Sequence, residues 1–184
     1  MNALISLHNW IFDLLNRQAS WLMPTLARVI FAGVLLMYFW SSAATKLGPG
    51  LLGFLFPSDG AYIQIFPKAV EAAGYDTSQL GIFHWLVAVL ATWGEFILPL
   101  MIVLGFMTRI AAIGMIIFVA VQTYVDINGH GIAAADIGHW FDRSSSSLIA
   151  DQRSLWVLLF ALLVVMGAGP FSLDRLFGRS TDEA

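Results

Sequence analysis

The sequence predicts an all-α, polytopic membrane protein: a four-transmembrane-helix bundle with an N-terminal amphipathic interfacial helix and an outer loop cap. Three observations predict it. Of 184 residues, 59% are hydrophobic and only 11% charged, whereas a soluble domain carries about 25% charged residues. The mean hydropathy is +0.79. Four segments approach the roughly 20 apolar residues a helix needs to cross about 30 Å of hydrocarbon. The length fits one membrane domain over residues 1–184.

Composition also excludes several classes. Nine Lys and Arg stand against twelve Asp and Glu, a net charge of -3, so no basic surface is available for nucleic acid. The absence of cysteine excludes disulfides, dithiol relays, thiolate zinc and cysteine-held iron–sulfur clusters. Redox chemistry, if present, uses a bound cofactor or substrate. No Gly-x-Ser-x-Gly elbow, phosphate-binding glycine loop, dinucleotide fingerprint or His-Glu-x-x-His helix occurs.

Residues 1–23 come first, with Leu4, Leu7, Ile11, Leu14 and Leu15 on one face and His8, Asp13, Asn16 and Arg17 mostly off it. That pattern predicts a helix lying in the membrane interface. A signal peptide is the competing reading, but an early positive charge, an uninterrupted apolar core and a small-residue cleavage site do not occur in order. The spans follow at about 25–46, 82–106, 109–126 and 148–168. Pro99 is expected to kink the second, because it removes one hydrogen bond and crowds the carbonyl of Glu95. The fourth reaches span length only if Leu148 to Arg153 is included.

Four spans put both ends of the chain on one side. That side holds Arg17, Arg28, Arg109, Arg175 and Arg179 against Asp13, Asp174, Asp182 and Glu183. The other holds Lys46, Lys68, Arg143 and Arg153 against seven acidic residues. The basic residues of the first set lie in short segments, so both termini are expected in the cytoplasm. The turn at Phe106 to Arg109 is then cytoplasmic, and two long loops lie outside. The first, Leu47 to Gly81, carries Leu51, Leu52, Phe54, Phe56, Ile63 and Phe66, too apolar for a linker. It is expected to cap the bundle as short helices, either as a lid over a cavity or lying on the interface with none beneath.

Several short motifs follow in order. They are Arg28, Gly33 and Lys46-Leu47-Gly48 around the first span, Trp93-Gly94-Glu95 in the second, Leu104 to Ala112 entering the third, and Gly167 to Asp174 after the fourth. Together they resemble the DoxX family over about residues 25–178. The resemblance implies a bacterial inner-membrane four-helix protein, in a family named from a link to quinone-coupled thiosulfate oxidation. A membrane subunit of a quinone-coupled redox system is the function it suggests, with quinone as the possible cofactor and a partner redox subunit or a second copy of the chain as partner. The competing class is non-enzymatic: binding or transport of a small molecule or lipid, or assembly of a partner membrane protein.

Glu95 lies about halfway along the second span, where an ionisable residue suggests a functional site. It is the candidate catalytic residue. Thr92 and, three turns back, His84 share its helical stripe. Lys46 on the first span, Gln122 and Asp126 on the third, and Arg153 on the fourth lie at similar levels, with Trp93 beside Glu95 as a flat pocket wall or a packing residue. These seven are the candidate ligand contacts in the outer half of the bundle. Two readings of Glu95 stay open: it exchanges a proton with a quinone-like ligand, or it fixes helix register by pairing with Lys46, Arg28 or Arg153. Arg28 and Arg109 read as helix-end residues that snorkel. Five of the seven tryptophans, Trp21, Trp40, Trp85, Trp140 and Trp156, fall near span ends as interfacial anchors.

His130, Asp136, His139 and Asp142 in the second loop offer nitrogen and oxygen ligands at three-residue spacing for the last three. The set has no diagnostic motif, so a solvated segment without metal is expected. Haem is not expected either, because no two histidines fall on facing spans.

Overall fold

The computed structural model describes residues 2–179, with side chains placed for residues 4–178. Asp182, Glu183 and the side chain of Arg179, all counted in the charge balance above, lie outside those described. All the regular structure is helical, with no strand among the described residues. Helices α1 (Asn2–Val34) and α2 (Leu36–Lys46) cover the expected first span; α3 (Asp59–Ile65) and α4 (Pro67–Ala72) lie in the first loop. Helix α5 (Ile82–Leu104) returns, and α6 (Thr108–Tyr124) continues without interruption into a π-helical turn, Val125–His130. After the short α7 (Ala134–Ile137), a second π-helical turn, Leu148–Arg153, leads into α8 (Ser154–Met166), and α9 (Leu173–Arg179) follows.

Three of these rods are long and apolar enough to cross a membrane: Ile82–Leu104, Thr108–His130 and Leu148–Met166. The pair α1 and α2, bent by 45°, passes the same test as one broken span. The expected boundary after residue 23 is absent. Helix α1 runs through Pro24, so the amphipathic segment and the start of the first span are one rod, broken only at Leu35. A proline removes a single ladder bond, and Thr25 Oγ1 donates to Trp21 O (2.6 Å) beside the gap. Pro99 likewise sits inside α5, which is a single helix.

Each span turns one stripe inward. On the first it is Ala27, Phe31, Leu35, Phe39 and Ala43, at four-residue spacing; on α5 it is Ala88, Thr92, Glu95, Pro99 and Ile102. Helix α6 contributes Thr108, Ala111, Ala112, Met115 and Val119, and α8 contributes Phe160 and Leu163. Large aliphatics such as Leu90, Ile97, Ile117 and Leu158 point outward. That is the pattern of a bundle solvated by lipid: small residues let helices approach while the apolar exterior meets acyl chains. Gly114 shows the closeness, since a Cβ there would lie 3.0 Å from the Leu98 side chain.

At the end of the bundle away from the long loops, Arg28 closes the structure. Its guanidinium donates to four carbonyls: Ile102 (2.9 Å), Val103 (2.7 Å), Ala168 (2.9 Å) and Phe171 (2.6 Å). Helix ends leave carbonyls without intrahelical partners, and Arg28 satisfies those of α5 and of the segment after α8. Asp174 does the reverse for α6, accepting from Met107 N (2.6 Å) and Thr108 N (2.9 Å). Gly105 (φ 68) makes the tight turn between them. A Cβ there would sit 2.8 Å from the Arg28 guanidinium.

Arg28→Met is therefore expected to destabilise the protein by at least ~3 kcal/mol, because several buried carbonyls lose their donor at once. Arg109→Met, which loses one 3.3 Å bond at an exposed side chain, should stay within about 0.5 kcal/mol. Unfolding of the two variants in detergent distinguishes a clamp from a snorkelling charge.

Candidate functional site

The 45° bend leans α2 against α5, with α2 ending at Lys46. Long helical side chains point back toward the N-terminus, and the Lys46 ammonium reaches back one turn to Ser42 and across to Glu95. Lys46 Nζ donates to Glu95 Oε1 (3.0 Å) and Oε2 (2.8 Å) and to Ser42 Oγ (2.7 Å). Ser42 Oγ in turn donates to Glu95 Oε1 (3.1 Å). Both side chains of the ion pair are only 5% exposed. The carboxylate thus has a compensating charge and three hydrogen bonds, which is what lets it persist away from water.

The pair borders a cavity of about 180 Å³ between α2, α5 and α6. Its apolar wall is Val87 and Ala91 of α5 with Phe118 and Val121 of α6. Gln122, Asp126 and His130 add polar lining, and Gln64 and Ile65 of α3 line it from the loop. The lid is tied down at two points: Gln64 Nε2 donates to Thr45 Oγ1 (3.2 Å), and His130 Nε2 donates to Gln64 O (3.0 Å). Of the two readings of the first loop, the lid over a cavity is the one realised.

A second charge pair lies behind this wall. Arg153 Nη2 donates to Asp126 Oδ2 and Nη1 to Thr123 Oγ1 (2.8 Å). Both charged residues sit in the π-helical turns of their spans, a form that widens the helix locally and recurs at functional sites. Ser147 opens the turn before α8 as an N-cap: its Oγ accepts from Asp151 N (3.2 Å), and Asp151 Oδ2 accepts from Ser147 N (2.8 Å).

Of the candidate contacts, Lys46, Gln122 and Asp126 meet Glu95 around the cavity, and Arg153 touches it only through Asp126. The others lie elsewhere. Thr92 Oγ1 bonds back to Ala88 O (2.8 Å) within α5. His84 packs edge-on against Phe66 and Phe83. Trp93 does not line this cavity: its indole donates to Phe54 O (2.9 Å) and its ring packs on Phe54, holding the loop against α5. Eight residues earlier, Trp85 does the same at Leu55 O (2.9 Å).

In the second loop His130 faces the cavity, Asp136 belongs to α7 and Asp142 accepts from Ser144 N (2.8 Å). These two, His139 and His130 do not converge, and no three metal-ligating side chains do so among the described residues. Gln64 was not foreseen. A glutamine in an apolar loop has no period or motif to mark it, and only the return of α3 over the spans brings it to the site.

A family model described as DoxX matches residues 23–126, more than half of the chain. The match runs from residue 23 in α1 through α2 and α5 and into the third rod as far as Asp126, and it takes in the whole cavity lining except His130; the Gly167 to Asp174 motif lies beyond it. No curated protein and no solved structure matches the chain.

Two variants test what the buried pair contributes. Lys46→Met alone is expected to cost about 3–5 kcal/mol, since it leaves a buried carboxylate unpaired, and Lys46→Met with Glu95→Leu should recover most of that loss. Denaturation in detergent of the single and double variants measures the difference.

Proposed function

The chain belongs to the DoxX family, and from that premise we propose that it is a membrane subunit of a quinone-coupled redox system that holds a quinone-type ring beside Glu95. One observation carries the reading: a cavity of about 180 Å³ inside the bundle, with an ion-paired carboxylate on one side and the Phe118 ring on another. A dry cavity of about 150 Å³ accommodates benzene, so the space suits one six-membered ring. An isoprenoid tail then leaves toward the lipid. Glu95 is the residue that exchanges a hydrogen bond, and a proton, with the ring oxygen. Lys46 and Ser42 position its carboxylate; Gln122 of α6 and Asp126 of the π-helical turn after it line the same cavity.

A second reading, binding or assembly of a partner membrane protein, draws support from the N-terminal half of α1. There Leu4, Leu7, Trp10, Ile11, Phe12 and Leu15 are all exposed. They are free to lie on the bilayer interface, against a partner redox subunit or against a second copy of the chain. We also infer a bacterial inner-membrane location with both termini cytoplasmic, on the strength of the arginines at the Arg28 end of the bundle.

Two measurements check these readings. Protein purified in mild detergent is expected to carry a quinone or its reduced quinol, and Glu95→Gln to carry at least about tenfold less of the quinol, whose hydroxyl donates to the carboxylate, a hydrogen bond to a charged group being worth roughly 1.5–3 kcal/mol. Recovery of the wild-type protein free of quinone but with a client protein retained contradicts the redox reading. Because the chain has no cysteine, single cysteines report orientation directly. Ser144→Cys should react with an impermeant thiol reagent on intact cells, and Arg175→Cys only after permeabilisation.

A further inference from the structure

The first loop has two parts of different character. Helix α3 supplies the lid, but residues 47–57, which precede it, line no part of the cavity. No charged residue falls between Lys46 and Asp59, and Leu51 (96% exposed), Leu52, Phe54, Leu55 and Phe56 all lie open. The neck of the segment is closed where Ser58 N donates to the Lys46 carbonyl (2.9 Å). An apolar patch of this kind marks contact with a membrane or a protein.

Trp85 and Trp93 fix where the patch lies. Their indoles donate to the consecutive carbonyls of Leu55 and Phe54 (2.9 Å each). Trp93 is eleven residues into α5, about 16 Å along it at 1.5 Å per residue, so the segment hangs well below the first turn of the helix. Exposed Leu86, Leu90 and Ile97 share the Trp93 stripe at three- and four-residue spacing, on the surface that meets acyl chains. The segment therefore descends along the lipid-facing side of a span and not over its end.

Its backbone suits that place, since polar groups at membrane depth need partners. Pro49 and Pro57 have no amide hydrogen, and Gly48, Gly53, Leu55 and Phe56 donate to carbonyls within the segment. The amides of Gly50, Leu51, Leu52 and Phe54 have no partner among the described residues. They limit the depth to the level where acyl chains meet headgroups and water still reaches.

We propose that residues 47–57 form a re-entrant segment that dips into the leaflet on the long-loop side of the bundle and rests on lipid acyl chains through Leu51, Leu52 and Phe56, with Trp85 and Trp93 as the tethers that hold it there. This surface is separate from the ring cavity, so failure of either leaves the other standing.

Leu51 is almost wholly exposed and the chain has no cysteine, so a spin label at Leu51→Cys reports its surroundings in the full-length protein held in lipid nanodiscs. Relaxation by dissolved oxygen, which concentrates among acyl chains, is expected to dominate there, and relaxation by a water-soluble nickel chelate to be largely lost relative to a label at Ser144→Cys. Trp85→Phe combined with Trp93→Phe keeps the rings but frees the two carbonyls, and nickel relaxation at residue 51 should then rise, because a buried carbonyl without a donor favours water. Nickel relaxation at residue 51 as strong as at residue 144, with both tethers intact, overturns the proposal. Spin–spin broadening between labels on two copies overturns it too, by making the patch a contact between chains, as does a signal unchanged by loss of both tethers.

Discussion

The ion pair of Lys46 and Glu95 is the constraint on which the rest of the structure depends. An unpaired charge at this depth of a bundle is expensive, so the two residues must meet wherever the helices are placed. Helix α2 cannot follow the line of α1 and still bring Lys46 to α5; the 45° bend at Leu35 supplies the tilt. The cavity lies beside the tilted α2, and the loop that follows Lys46 returns over it through Gln64 and Ile65. Register, cavity and lid therefore meet at one buried ion pair.

The same rule operates on the backbone at the other end. Carbonyls with no water to receive them must find donors inside the protein, and Arg28 supplies donors to four of them. Asp174 supplies the complementary acceptors for the first amides of α6. The bundle is thus held by polar interactions at two levels, Arg28 at one end and the paired charges toward the other, with small residues and aromatic rings packed between. Phe31 against Phe160 and Phe39 against Trp156, both edge-on, fill that middle layer. Burial of apolar surface cannot do this work in lipid, where the exterior is as apolar as the core.

The sequence carried the spans and the depth of Glu95, because both follow from one-dimensional patterns: runs of apolar residues and a single charge within one. It carried Lys46, Gln122 and Asp126 as cavity residues for the same reason, since their distance from a span end sets their level. It did not carry which way a residue faces. Thr92 shares the Glu95 stripe but satisfies its hydroxyl on its own helix, and Trp93, next to Glu95 in the chain, points about 100° away to the loop. The continuity of α1 through Pro24 was also hidden, because a proline near an amphipathic-to-apolar transition reads as a boundary. Gln64 reached the cavity only by tertiary return of the lid. The π-helical turns that bring Asp126 to Arg153 have no sequence signature.

The central claim is that the space between α2, α5 and α6 is where a ring-shaped ligand binds, with Glu95 as its polar contact. A structure of the protein with a brominated short-chain quinol, its bromine located by anomalous scattering, tests this most directly. The account predicts the ring inside the cavity, one hydroxyl within hydrogen-bond distance of the Glu95 carboxylate, beneath the lid held by Gln64 and His130. Bromine found only on the lipid-facing surface, with Glu95 contacted by Lys46 and Ser42 alone, would contradict it and leave the buried pair with a purely structural role.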